Sequence, residues 1–272
     1  MHKNSTGFYT LFVFVSLLIA PVIRFLSIYY LNYVLAGIYI ALALAAIIGI
    51  AIESLKEKQY APAFEFKNPF HLDAFSYIAA AGFFVNFITQ CVLLYGAFSS
   101  GRLNGTYILP ILMSGVTALV SSGYFIIVGF SFGNRNYDFR SFRLIHVVPM
   151  LWALSVVFNL MELSSGFEKS IDSTLKYFMM LMLVCFFYRF ATEVDSEGNA
   201  KNTTVLFARV YSYLAVLFFI DRFALVLSGK APLISAENSV AFTGLMLCGF
   251  TFFFEKNILN SFVNGKDNSR RK

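Results

Sequence analysis

The chain has 272 residues, 58% of them hydrophobic and only 13% charged, with a net charge of +6 and a mean hydropathy of +0.69. The charged share is about half that of a soluble domain, whose exposed half must be polar, so the composition excludes a soluble globular protein and leaves a bilayer as the surrounding solvent. In such a chain the basic excess speaks to membrane orientation rather than to nucleic acid.

Eight apolar stretches follow in order, at about 8–29, 32–52, 74–98, 107–130, 143–163, 174–192, 204–228 and 239–256. Each is long enough to cross about 30 Å of hydrocarbon. Backbone groups in lipid must be satisfied internally, so each is read as a helix. Lys3 ahead of an apolar core looks like the start of a signal peptide, but no small-x-small cleavage pattern follows cleanly and the run continues through Pro21 towards Tyr30. The first stretch is therefore expected to stay as a span. Only Tyr29-Tyr30-Leu31-Asn32 separates it from the second, with Asn32 expected to supply a turn or cap. Pro110 and Pro149 predict bends in the fourth and fifth spans.

The connections after odd spans are short, whereas those after even spans (53–73, 131–142 and 192–203) carry most of the charge. With both termini in the cytoplasm, 15 of the 21 Lys and Arg fall inside, four (Arg102, Lys169, Lys176 and Lys230) lie in or next to outer loops, and Arg24 and Arg222 lie within spans. Such a bias sets orientation during insertion. Seven spans would place the basic tail outside. The expected fold class is an all-α integral membrane bundle of about eight transmembrane helices, N-in/C-in. It forms a single polytopic domain over 1–272, with a basic cytoplasmic tail at 257–272.

The spans also read as four helical hairpins of similar build. Their odd members carry Val22-Ile23-Arg24-Phe25, Phe84-Val85-Asn86-Phe87, Val157-Phe158-Asn159-Leu160 and Ile220-Asp221-Arg222-Phe223. Duplication of a hairpin explains this pattern, and so does chance in an apolar-rich chain.

A central Arg or Asp costs about 2.5–3.5 kcal/mol on insertion scales, so such groups are kept where they are paired, hydrated or useful. Arg24, Glu162, Asp221 and Arg222 all fall in the outer half, joined by Asn86, Gln90 and Asn159. These seven form the candidate ligand-binding set, a polar cluster between the odd helices. The alternative is an ion-pair and amide clamp, with Arg24 or Arg222 reaching to the headgroups. On the fourth span, Ser114, Thr117, Ser121 and Ser122 with Gly115 and Gly123 predict a packing seam or a hydroxyl-lined path. The aromatic runs Tyr124–Phe132 and Phe186–Phe190 predict an interfacial belt. Cys91, Cys185 and Cys248 lack CxxC spacing and are expected as buried free thiols. His2, His71 and His146 are too scattered to form a metal site.

No HExxH, GxSxG, P-loop or dinucleotide motif occurs, so no cofactor is implied and an enzyme is disfavoured. A retinal Schiff base is disfavoured because Lys256 lies only at the edge of the last span. The paired spans in 147–192 and 209–256, each with a polar residue followed by Phe or Leu and then an aromatic run, resemble uncharacterised multi-pass membrane proteins of anaerobic Gram-positive bacteria. That resemblance implies no activity. The leading expectation is a cell-membrane protein that binds or transports a small molecule or ion through the outer-half cluster. The rival is a membrane sensor or scaffold that signals through a partner. The partners implied are the lipid bilayer, a small-molecule or ion ligand, and a membrane or cytoplasmic partner protein, with no nucleic acid.

Overall fold

The computed structural model describes residues 4–56, 71–101, 105–133, 143–159, 167–193 and 202–269. The elements are α1 (Asn4–Tyr30), α2 (Tyr33–Lys56), α3 (Leu72–Ser99), α4 (Gly105–Gly133), a 3₁₀ turn (Arg143–Val147), α5 (Val148–Asn159), α6 (Phe167–Glu193), α7 (Asn202–Leu227) and α8 (Ala236–Ser269). Among the described residues seven helices are long and apolar enough to span a membrane, and Ile145–Phe158 is a shorter apolar helix.

The fifth span differs from the 143–163 expected. Its α-helix starts only at Val148, with Pro149 in the first turn, where a missing N–H leaves no partner unsatisfied. The residues before it wind as the tighter 3₁₀ turn. Pro149 therefore begins a helix rather than bending one, whereas Pro110 does lie inside α4. At their usual rises the two pieces together reach about 28 Å. α8 also departs from expectation. It continues for 34 residues to Ser269, so most of the tail at 257–272 prolongs this helix.

Helices α3 to α8 pack in sequence order around a ring, which α8 closes against α3. The α1–α2 hairpin docks against α7. Side-chain pairs give the directions. Ser16 meets Tyr213 and Arg24 meets Asp221, so α1 and α7 run parallel. Thr117 meets Ser155 and Tyr124 meets His146, so α4 and α5 run antiparallel. Phe75 stacks on Phe253 while Gly82 abuts Thr243, so α3 and α8 are antiparallel as well. The parallel α1–α7 pair requires the short α5 to reverse the chain as the long helices do.

Aromatic side chains fill the ring. Phe83, Phe125, Trp152, Phe186, Phe187, Phe190 and Phe250 are almost wholly buried. Phe83 meets Trp152 edge-on at 4.8 Å, and Phe125 meets Phe250 at 5.2 Å. This corrects the expected belt. Spacings of four, as in Phe186 and Phe190 or Phe250 and Phe254, place these rings on one helix face, and that face turns inward. Tyr29, Tyr30, Tyr33 and Tyr95 instead lie exposed near helix ends, where their hydroxyls suit an interface.

The small residues of α4 form a packing seam. Ser122 donates to the Ala80 carbonyl at 2.9 Å. A Cβ on Gly115 would sit 3.3 Å from Gln90, and one on Gly129 would sit 3.0 Å from Tyr77. Gly123 has no neighbour within 4 Å and lies outside the seam. Cys185 and Cys248 are partly buried, but Cys91 is exposed, against the expectation of three buried thiols.

Candidate functional site

Two turns build one end of the bundle. Leu31 takes a left-handed conformation (φ 52°), and the Asn32 side chain accepts from the Val34 N–H at 2.9 Å, capping α2 as the sequence implied. Gly229, at φ 69°, ends α7, with Lys230 N–H reaching back to the Leu225 carbonyl, a Schellman closure that favours glycine. The Lys230 ammonium donates to the Ile28 carbonyl, so a cation meets the negative end of α1.

Less than two turns inward, Arg24 of α1 donates from Nε to Asp221 Oδ1 of α7 at 2.8 Å, and both side chains are 1% exposed. The guanidinium carbon lies 5.8 Å from the centre of the Tyr39 ring, a cation–π distance. Pro21, Leu217 and Ala224 close around the pair and leave no room for a water molecule.

Arg222 does not join that pair. One residue further along a helix is a 100° rotation, which turns Arg222 from the α1 side to the start of α8. There its Nε donates to Asn238 Oδ1 at 2.9 Å, and Nη1 lies 2.9 Å from Glu237 Oε2. Asn86 and Gln90 form a third group. They sit on successive turns of α3, are buried, and are 3.5 Å apart through Gln90 Nε2 and Asn86 Oδ1. Among the described residues the candidates thus make three groups of contacts: Arg24 with Asp221, Arg222 with Asn238 and Glu237, and Asn86 with Gln90. The Asn159 side chain and Glu162 lie outside those residues, as does Arg102.

Among the described candidate residues, Arg222 borders a cleft. This cleft of about 250 Å³ lies over α8 between α3 and α7. Its walls include Val85, Phe219, Phe223 and Phe242, and Arg222 and Asn238 line one side. Val85 and Phe223 are exposed on the bundle surface, so the cleft opens sideways on the bundle.

Sequence reasoning missed several groups. Glu237 and Asn238 were not among the candidates; the turn at Gly229 brings them back to Arg222. Arg209 donates to Glu255 Oε1 at 2.6 Å and to Ser54 at 3.3 Å, tying α7, α8 and α2 at the opposite end. The signal there was a charge at the end of the Phe252-Phe253-Phe254 run. The buried Tyr124 hydroxyl lies 2.8 Å from His146 Nδ1, a pairing that nothing in the local sequence announces. Among the described residues no three His, Cys, Asp or Glu side chains converge in a way that would hold a metal ion. Comparison with protein-family models, curated proteins and solved structures finds no match.

Proposed function

We propose that this multi-pass membrane protein crosses the bilayer eight times with both termini cytoplasmic, and binds a membrane-soluble amphiphile in the lateral cleft beside Arg222. The observation that carries this reading is the cleft itself: apolar walls open to lipid, with a buried guanidinium on one side. Ligand sites generally pair an apolar lining with a few placed polar groups. At about 250 Å³ the cleft falls just below the roughly 300–1,000 Å³ of sites for drug-sized ligands, which suits one chain rather than a whole two-chain lipid. The aromatic filling of the ring and the closed packing around Asp221 favour binding at this cleft over conduction of an ion along the axis. The same dry interior supports a second reading, in which occupancy of the cleft is sensed by a partner protein.

A photoactivatable single-chain amphiphile in nanodiscs should label peptides containing 219–226 and 233–242. Val85→Trp should reduce that labelling several-fold, because Val85 is 42% exposed and its enlargement fills the cleft rather than the core. Labelling spread evenly over all lipid-facing helices would refute the reading. For orientation, single cysteines at Ser228 and Ser269 in a cysteine-free background should react with an impermeant maleimide from opposite sides of the membrane. Reaction of both from the same side would remove the eight-crossing topology.

A further inference from the structure

We infer that the cleft selects amphiphiles with an anionic headgroup, which takes the place of the Glu237 carboxylate on Arg222. This deepens the proposed amphiphile-binding role and rests on it.

Two partners of Arg222, Asn238 and Glu237, differ in how firmly they are held. The Asn238 amide is fixed from the other side, since its Nδ2 donates to the carbonyls of Pro232 at 2.7 Å and Leu233 at 3.0 Å. Its Oδ1 is therefore aimed at Arg222 Nε, and that bond orients the guanidinium plane. Glu237 has the opposite character. Its side chain is 48% exposed, whereas that of Arg222 is 8% exposed. An ion pair with one solvated partner contributes little, because that partner loses little by returning to solvent. The buried guanidinium, by contrast, requires some anion near it. Arg222 thus presents a guanidinium plane oriented by Asn238, with Nη1 facing a half-exposed carboxylate.

The apolar walls commit the rest of the ligand. Val85, Phe219 and Phe242 line the space beside that guanidinium, so an occupant there has an acyl chain as well as an acid group. Carboxylate and phosphate monoester both match the forked geometry of Arg. A free inorganic anion would leave the apolar part of the cleft unfilled. The source is accordingly a lipid-phase amphiphile rather than a soluble ion. Exchange is a substitution of one anion for another: Glu237 swings into the headgroup region as the ligand acid arrives, and the charge around Arg222 is conserved.

The test compares a spin-labelled fatty acid with the fatty alcohol of the same chain in nanodiscs of neutral lipid. Wild-type protein should bind the acid more tightly than the alcohol. Glu237→Gln, which removes the competing anion, should tighten binding of the acid by about three- to tenfold and leave the alcohol unchanged. Arg222→Met should weaken the acid by about ten- to hundredfold, again with little effect on the alcohol. Inorganic phosphate at millimolar concentration should not displace the acid. If acid and alcohol bind equally and neither variant matters, the headgroup inference falls while the cleft reading stands. If neither probe binds, both fall. If inorganic phosphate displaces the acid and leaves the alcohol, the ligand is a soluble anion and the inference is overturned.

Discussion

Replacing Asp221 by Leu should destabilise the protein by about 3–5 kcal/mol, among the largest single-residue effects expected in this chain, because it leaves the Arg24 guanidinium buried without its carboxylate. The pair is 2.8 Å apart with both side chains 1% exposed, so water does not reach it to compensate. Arg24→Met alone should cost a similar amount by stranding Asp221. The double variant, Arg24→Met with Asp221→Leu, should recover most of that loss, since exchanging a whole buried ion pair for apolar side chains is often neutral or better. Reversible unfolding in mixed bicelles, read as a double-mutant cycle, checks this. Additive losses would show that the two residues act independently. The same cycle bears on function. A clamp predicts that the double variant still labels at the cleft, because Arg222 and Asn238 face away from α1.

Phe125→Ala should cost about 3–5 kcal/mol, the usual penalty for emptying a large aromatic from a core. Phe130→Ala, in the same run of α4, should cost less than about 1 kcal/mol. Phe125 is completely buried between Phe83, Phe187 and Phe250, whereas Phe130 is 65% exposed. In a bilayer the exposed ring exchanges one apolar neighbour for another, so little driving force is lost. The buried ring leaves a void, because its neighbours belong to three different helices and cannot all close in. Thermal midpoints of the two variants in one detergent decide the matter. Equal and small shifts would return the aromatics to the lipid interface and reopen the ring centre as a pathway.

Membrane character and the places where the chain turns were readable in the sequence, because lipid imposes a length and an apolar composition that single residues cannot hide. Asn32 was readable as punctuation for the same local reason, whereas the left-handed Gly229 turn emerged only from the fold. The fifth span was harder. Apolarity marked a segment near 143–163 as a span, but its α-helix begins only at Val148 beside Pro149, and its reversal of the chain shows in the side-chain pairs of α4 with α5 and of α1 with α7. Of the site, Arg24 and Asp221 were recognisable only as two of four charges that need partners within the bilayer. Their actual partnership is non-local, as is that of Arg222 with Glu237 and Asn238. Asp221 and Arg222 are adjacent in sequence and separate in space because a helix rotates between them. The aromatics misled for a related reason: Phe is as acceptable against lipid as inside a core, and hydropathy does not distinguish the two faces.

The α1–α7 pairing also bears on how the protein is made. Arg24 and its carboxylate are separated by 197 residues of a 272-residue chain. At a synthesis rate of about 5–20 residues per second, the first hairpin waits on the order of 10–40 seconds in the membrane before Asp221 emerges. During that interval Arg24 has Tyr39 of the same hairpin beside it and a position near the end of α1 from which its long side chain can reach the headgroups. The last hairpin to be translated is therefore the one that captures the first. A chain stalled before α7 would hold an early hairpin with no docking partner, which is a ready target for membrane quality control.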